Sequence, residues 1–197
     1  MGHLGTKYDI KNITECLKIG CEALNKIGAY HWLADGGLFA IARTGEVFEN
    51  DHDWDIGILV NGIKPNDIIN SIPMERLGWS DEIIFGKQQG CAFRHKDWIF
   101  DLRFWYEADK YLVNAQRYIN GLGNWSIGTF YESARLFSEL KMLNYHGVNV
   151  PAPLAIDDYL VERYGMEWNT MPLTGDTRWW IYTKSFKLDN EIWEKIK

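Results

Sequence analysis

The sequence predicts an α/β (α+β) domain with a mixed β-sheet flanked by helices. Apolar residues recur at helical spacing near the start of the chain, an acidic strand follows, and alternating strands occupy the middle. This order of helix, strand, helix and strand, followed by antiparallel strands, is typical of a sheet with both parallel and antiparallel strand pairs. With 197 residues, 46% of them hydrophobic, we expect a single domain over residues 1–197.

The first half of the chain is predicted to alternate helices and strands. Asn12 is expected to cap a helix that Gly28 ends, because apolar residues between them recur every three or four positions. We then expect, in order, a strand, a tight turn, a short helix, the acidic strand and a helix that Pro73 breaks or kinks. Their predicted bounds are Tyr30–Leu33, Asp35–Gly37, Leu38–Ala42, Asp53–Val60 and Asp67–Leu77.

The second half is predicted to consist mainly of antiparallel strands. Gly86–Gly90 should connect a first hairpin, and His146-Gly147 should form the turn of a second one. Pro151 and Pro153 are expected to lead into a final helix that Gly165 ends. The predicted bounds are Glu82–Phe85 and Cys91–Arg94 for the first hairpin, Trp98–Tyr106 for a strand, Leu136–Val150 for the second hairpin and Ile156–Tyr164 for the helix.

Charge and composition exclude some classes of partner. The net charge is −6, with 27 acidic against 21 basic residues, so wide nonspecific binding to extended nucleic acid has no electrostatic basis. Cys16, Cys21 and Cys91 share no zinc-binding spacing, and a reducing, cytoplasmic location is expected. The chain has no apolar run near the roughly 18 residues of a transmembrane segment.

The acidic run Asn50-Asp51-His52-Asp53-Trp54-Asp55 is the most informative feature of the sequence. It enters the apolar stretch Ile56–Val60, and side chains alternate faces along a strand, so its three Asp side chains should point the same way. Like charges on one face repel, and Asp is a poor strand former. We therefore expect a hard divalent cation, Mg²⁺ or Mn²⁺, to offset the repulsion.

Asp101 provides a further carboxylate inside an otherwise apolar strand. It shares one face of Trp98–Tyr106 with Ile99 and Arg103. A buried carboxylate is costly unless it is paired or bound to a metal. Asp101 could pair with Arg103 at the surface, or it could lie beside Asp53 and Asp55 on a neighbouring strand. The second arrangement would form a site for one or two cations against a phosphate chain.

Two other interpretations fit the acidic run less well. A calcium loop of the EF-hand type needs Gly at position six and Glu at position twelve, and counting from Asp51 these positions are Ile56 and Gly62. A plain solvated strand face is disfavoured by Gly36-Gly37, which lies between a strand and a helix, where the backbone can approach a phosphate. Arg43, at the end of that helix, could bind a phosphate through two donors.

These residues resemble the signature of nucleotidyltransferase-fold proteins: Gly36-Gly37, the Asp53-Trp54-Asp55 strand and the later Asp101. The segment from Leu33 to Arg43, and the spacing from Arg43 to the acidic run, are similar to the LicD/fukutin-related branch. Asn50 stands where that family usually has Trp, and His52 where a further Asp is common. The remaining matches are Trp98–Asp101, Phe137–Pro153, Asp158–Gly165 and Trp168–Pro172.

The resemblance implies a transferase that moves phosphocholine or a polyol phosphate from a CDP-linked donor to a hydroxyl of a glycan or glycolipid. In that case Asp53 and Asp55 would hold Mg²⁺ or Mn²⁺, with Asp51 as an alternate or outer ligand. Asp101 would complete the site or act as general base. The implied phosphate contacts are Gly36, Gly37 and Arg43.

Two alternative functions remain open on the sequence. One is a nucleotidyltransferase that moves NMP from an NTP to a sugar, small molecule, RNA or protein. The other is an inactive module that binds glycans or nucleotides. The many aromatic residues would either form the core or stack on a base or sugar. They include Trp54, Trp98, Trp105, Tyr106 and Trp125, whereas Trp179-Trp180 would line the acceptor side or cover the sheet.

Overall fold

The computed structural model of the chain describes residues 9–49, 51–119, 125–170, 186–187 and 191–196. Short 3₁₀ turns at Ala134–Phe137 and Glu191–Glu194 accompany the helices and strands. In chain order the elements are α1 (Ile10–Lys26), β1 (His31–Leu33), α2 (Asp35–Thr44), β2 (Asp53–Leu59), α3 (Pro65–Ser71), β3 (Glu75–Ile84), β4 (Lys87–His95), β5 (Trp98–Ala108), β6 (Tyr111–Ile119), β7 (Trp125–Ser133), β8 (Leu140–Tyr145), β9 (Val148–Pro153), α4 (Ile156–Tyr164) and β10 (Phe186–Lys187).

The strands form an eight-stranded mixed sheet and a separate hairpin, which confirms the predicted fold class. The sheet runs β1-β2-β5-β6-β7-β10, with β4 also paired to β5 and β3 paired to β4. Among the strands described, β2 and β5 form the single parallel pair. The separate hairpin, β8 and β9, turns at His146-Gly147 as predicted. The parallel pair matters most, because it brings the starts of two strands side by side.

The first helix packs against the sheet as its apolar spacing predicts. Cys16 and Cys21 are buried in it. At Gly20 the helix backbone approaches β5 so closely that an added Cβ would lie 2.2 Å from the Phe100 ring. The predicted cap at Asn12 is wrong, because the helix begins three residues earlier at a cap formed by Asp9, whose carboxylate accepts the Lys11 N–H at 3.0 Å.

Two predicted boundaries before β3 are also wrong. Gly36-Gly37 lies in the first turn of α2, which starts at Asp35, so there is no separate turn before the helix. The helix predicted over Asp67–Leu77 is only seven residues long and starts earlier, at Pro65. It ends at Ser71 because Pro73 disfavours a helical conformation at Ile72, whose backbone is extended. Glu75 then begins β3.

Other differences concern strands. The first hairpin is longer than predicted, β6 and β7 were not predicted, and Pro151 and Pro153 belong to β9 instead of a connection to α4. The final helix has the predicted bounds, and Gly165 follows it. Within the described residues, no helix is both long enough and apolar enough to cross a membrane.

Four of the aromatic residues named as stacking candidates are core residues. Trp54, Trp98, Trp105 and Tyr106 are all buried, so none of them offers an open face for stacking on a ligand. Trp54 donates its indole N–H to the backbone oxygen of Ile13 at 3.0 Å, which joins β2 to α1. The predictions for Asn50, the Trp125 side chain, Trp179-Trp180 and Pro172 lie outside the described residues.

Replacing Gly57 with Ala should destabilise the fold by about 1–3 kcal/mol, because an added Cβ would lie 2.3 Å from the Trp32 ring. Trp32 is fully buried and cannot move aside, since it packs against Trp105 and Phe137. Urea unfolding measures the change. Gly78→Ala is the matched control, because Gly78 is also a strand residue but has nothing within 4 Å of an added Cβ. Equal stabilities of the two variants would contradict the packing described.

Candidate metal centre

The parallel pairing of β2 and β5 brings the predicted carboxylates together. Asp55 lies directly opposite Asp101 in the register of the two strands, and Asp53 is two residues earlier on β2. One oxygen from each of Asp53, Asp55 and Asp101 lies within 4.8 Å of the others, and all three side chains are half-buried. We call these three residues the carboxylate cluster. The prediction that they converge from neighbouring strands is confirmed.

The N-terminus of α2 lies against this cluster. The Ala34 N–H donates to the backbone oxygen of Asp55 at 2.9 Å, and the Gly36 N–H donates to the Asp55 side chain, Oδ2, at 3.3 Å. An added Cβ at Gly36 would lie 3.4 Å from Asp51 Oδ2 and 3.6 Å from Asp55 Oδ2. Glycine at this position therefore leaves the space beside the carboxylates open, and Asp51 borders that space.

Gly37 and Arg43 lie elsewhere on α2. Gly37 is buried, and an added Cβ there would lie 3.0 Å from the Trp54 ring, so this glycine allows α2 to pack on β2. Arg43 is seven residues beyond Gly36, about 10 Å along the helix axis. Its guanidinium carbon lies 5.8 Å from the centre of the Phe39 ring. A contact of Gly37 or Arg43 with a bound phosphate stays a prediction.

Arg103 is the cation closest to the cluster among the contacts found. It donates from Nη2 to Asp101 Oδ2 at 2.7 Å and from Nη1 to Glu82 Oε2 at 3.1 Å. The two interpretations of Asp101 are therefore compatible, because it is paired with Arg103 and also belongs to the cluster. The contact of Glu82 with Arg103 was not predicted, because it depends on strand register. Gly90 on β4 pairs with Glu82 on β3 and with Arg103 on β5, and the sequence does not show this register.

Burial and like charge raise the carboxyl pKa values in the cluster. Burial, followed by a hydrogen bond and repulsion from Asp51, raises the pKa of Asp53 to about 7. Burial raises the pKa of Asp101 to about 6, against the opposing attraction of Arg103. Burial and the charges of Asp53 and Asp35 hold the pKa of Asp55 well above its usual range. Without a cation, the three groups therefore lose their protons at a higher pH than ordinary aspartates do.

The donor set fits a hard divalent cation. All three groups offer carboxylate oxygens, which are the ligands that Mg²⁺ and Mn²⁺ prefer. His52 does not join them: it is exposed, and its ring contacts Trp98, which is on the face of β5 opposite Asp101. The residues present thus match Mg²⁺ or Mn²⁺ better than a zinc site, for which nitrogen or sulphur ligands are usual.

Without a divalent cation, the protein should lose stability as the pH rises. The folded state holds the protons of Asp53 and Asp101 more tightly than the unfolded chain, whose carboxyl pKa values are about 4. The stabilisation is therefore complete below about pH 4 and is lost as the pH passes through about 6 and about 7. Thermal melts in a chelating buffer measure it.

Asp53→Asn is the reference variant for this measurement, because it removes the group with the pKa of about 7. The melting temperature of Asp53→Asn should increase relative to that of the wild type as the pH rises. Added Mg²⁺ or Mn²⁺ should stabilise the wild type more at high pH than at low pH, since the ion competes with protons. A difference between the two proteins that does not change with pH would contradict the coupling of the carboxylates.

No protein-family model matches this chain, and no curated protein matches it either. The resemblance to LicD/fukutin-related proteins accordingly rests on the motifs alone and stays a prediction. What the chain does is therefore inferred from the carboxylate cluster and the helix terminus beside it.

Proposed function

We propose that the chain is a divalent-cation-dependent transferase of phosphorus-containing groups. The observation that supports this most is the convergence of Asp53, Asp55 and Asp101, with oxygens within 4.8 Å, beside the N-terminus of α2. Carboxylates that can hold a cation beside the N-terminus of a helix suit a substrate with linked phosphates.

Each residue of the site has a role that follows from its position. Asp53 and Asp55 would hold Mg²⁺ or Mn²⁺, which when bound neutralises charge on the donor phosphates. Asp101, with a pKa of about 6, is suited to accept the proton of an attacking hydroxyl near neutral pH, and Arg103 keeps its carboxylate oriented. Asp51 borders the site and can serve as an alternate ligand. Positioning and electrostatics supply most of the rate in such reactions.

The substrate class is proposed from the resemblance to the LicD/fukutin-related family. The donor would be a CDP-linked phosphocholine or polyol phosphate, and the acceptor a hydroxyl of a glycan or glycolipid. In the transfer, the acceptor oxygen forms a bond to the phosphorus that bears the small group. The bond from that phosphorus to CMP breaks, CMP carries the electron pair away, and the hydroxyl proton passes to Asp101. Gly36, Gly37 and Arg43 are the proposed phosphate contacts.

A cytoplasmic location is proposed on the state of the cysteines. Cys16, Cys21 and Cys91 are all unpaired and buried, and burial raises the pKa of Cys16 and Cys21 to about 12. Thiols of this kind are inert and form no disulfide, as is usual in a reducing compartment.

Asp53→Asn and Asp55→Asn should each lower the Mg²⁺-dependent turnover of a CDP-linked donor by at least about 100-fold, because each removes a negative ligand of the cation. Release of CMP from CDP-choline and from CDP-linked polyols, read by mass spectrometry, measures turnover. Asp97→Asn is the matched control, since Asp97 is exposed in the turn between β4 and β5. The control should retain wild-type activity.

The products separate the proposal from its alternatives. CMP released from a CDP-linked donor supports the proposed transfer, whereas pyrophosphate released from an NTP identifies a nucleotidyltransferase. Binding of CDP and Mg²⁺ by calorimetry without any turnover identifies an inactive binding module. Turnover that is unchanged in Asp53→Asn and Asp55→Asn would contradict the assignment of the cluster as the cation site.

A further inference from the structure

The first residue of α2 is held by contacts from α4. Asp35 has a φ of +39°, in the left-handed region that residues other than glycine rarely adopt. Its N–H donates to the hydroxyl of Tyr159 at 3.2 Å, and that hydroxyl donates to Asp35 Oδ1 at 3.4 Å. Arg163 Nη2 lies 2.7 Å from the same carboxylate oxygen. An unfavourable backbone conformation is thus retained by two side chains that lie one helical turn apart on α4.

Arg163 is an unusual residue to find in this position. Its side chain is fully buried, and it lies between Asp35 on α2 and Glu132 on β7, with Nη1 2.9 Å from Glu132 Oε1. Its guanidinium carbon is also 4.2 Å from the centre of the Phe130 ring. A buried ion pair is weak support for stability, because removing two charges from water offsets most of their attraction. The arrangement is better explained by the geometry that it imposes on Asp35.

The backbone conformation of Asp35 determines where the first turn of α2 lies relative to the carboxylate cluster. Asp35 and Gly36 are consecutive, and the Gly36 N–H donates to Asp55 Oδ2 at 3.3 Å. Any rotation of the backbone at Asp35 turns the Gly36 N–H away from Asp55 and moves the helix terminus. We infer that Arg163 and Tyr159 are positioning residues that fix the α2 N-terminus, and so the Gly36 N–H, against the cation-binding carboxylates. This inference rests on the proposed function only where it concerns cation affinity.

The first test measures the helix terminus directly, with no cation present. Tyr159→Phe removes the hydroxyl bonded to Asp35 without changing charge, and Arg163→Gln removes the ion pair. In a chelating buffer, hydrogen exchange of the Gly36 amide, read by nuclear magnetic resonance, should become about fivefold faster or more in each variant. Should Arg163→Gln fail to fold, Tyr159→Phe and Arg163→Lys, which keeps the charge but not the planar fork, carry the same test.

The second test uses the sign of the effect on Mn²⁺ affinity. Removing a positive charge near acidic groups should tighten cation binding if Arg163 acts only through its charge. If Arg163 acts by positioning, Arg163→Gln should instead raise the Mn²⁺ dissociation constant, by about fivefold or more. Titration followed by electron paramagnetic resonance measures the constant, and Tyr159→Phe should weaken binding in the same direction.

Glu162→Ala is the matched control on the same helix. Glu162 anchors α4 to β7 through Ser133, whose N–H and hydroxyl both donate to its carboxylate, and it has no bond to Asp35 in the contacts found. This control should lower the melting temperature yet leave Gly36 exchange and Mn²⁺ affinity near wild type. The inference would be overturned by unchanged Gly36 exchange in both test variants or by tighter Mn²⁺ binding in Arg163→Gln. It would also be overturned if Glu162→Ala changed Gly36 exchange and Mn²⁺ affinity as much as the test variants do. A wild type that binds no Mn²⁺ would instead refute the proposed function, while Gly36 exchange would still decide on the positioning role.

Discussion

The parallel register of β2 and β5 is the constraint on which the site depends. It places Asp55 directly opposite Asp101 with Asp53 beside them, and so concentrates negative charge near the start of β2. Hydrogen bonds of the strand ladder hold this arrangement, in which burial first and repulsion second raise the pKa values of Asp53 and Asp101. The proposed function assigns a divalent cation and a phosphate-bearing substrate to this arrangement, because all the ligands present are carboxylate oxygens.

Two arginines support the site in different ways. Arg103 lies on the sheet itself and shares its guanidinium between Asp101 and Glu82. It neutralises part of the charge of the cluster and orients one carboxylate. Arg163, on α4, is paired with Asp35 and Glu132, and through Asp35 it fixes the start of α2. Arg103 sets the charge of the site, and Arg163 sets the position of the helix terminus beside it. Loss of Arg103 should therefore have a different effect on the site from loss of Arg163.

The parts of the site that were predictable follow from short-range rules. Alternation along a strand placed Asp53 and Asp55 on one face, and an isolated carboxylate among apolar residues singled out Asp101. The roles of Glu82 and Arg163 were not predictable, because they depend on hairpin register and on helix packing. The strands β6 and β7 escaped prediction for a different reason. Their buried faces carry Asn114 and Thr129, and Asn114 is satisfied by bonds to backbone oxygens of Gln89 and Phe104, so no apolar alternation marks them.

Diffraction from crystals grown with Mn²⁺ would test the central claim most directly. Data collected at the manganese absorption edge locate the ion without assumptions about activity. The account predicts a single strong anomalous peak, or a close pair, within coordination distance of Asp53, Asp55 and Asp101, next to the first turn of α2. An occupied manganese site elsewhere on the chain, with no anomalous peak beside these three carboxylates, would contradict it.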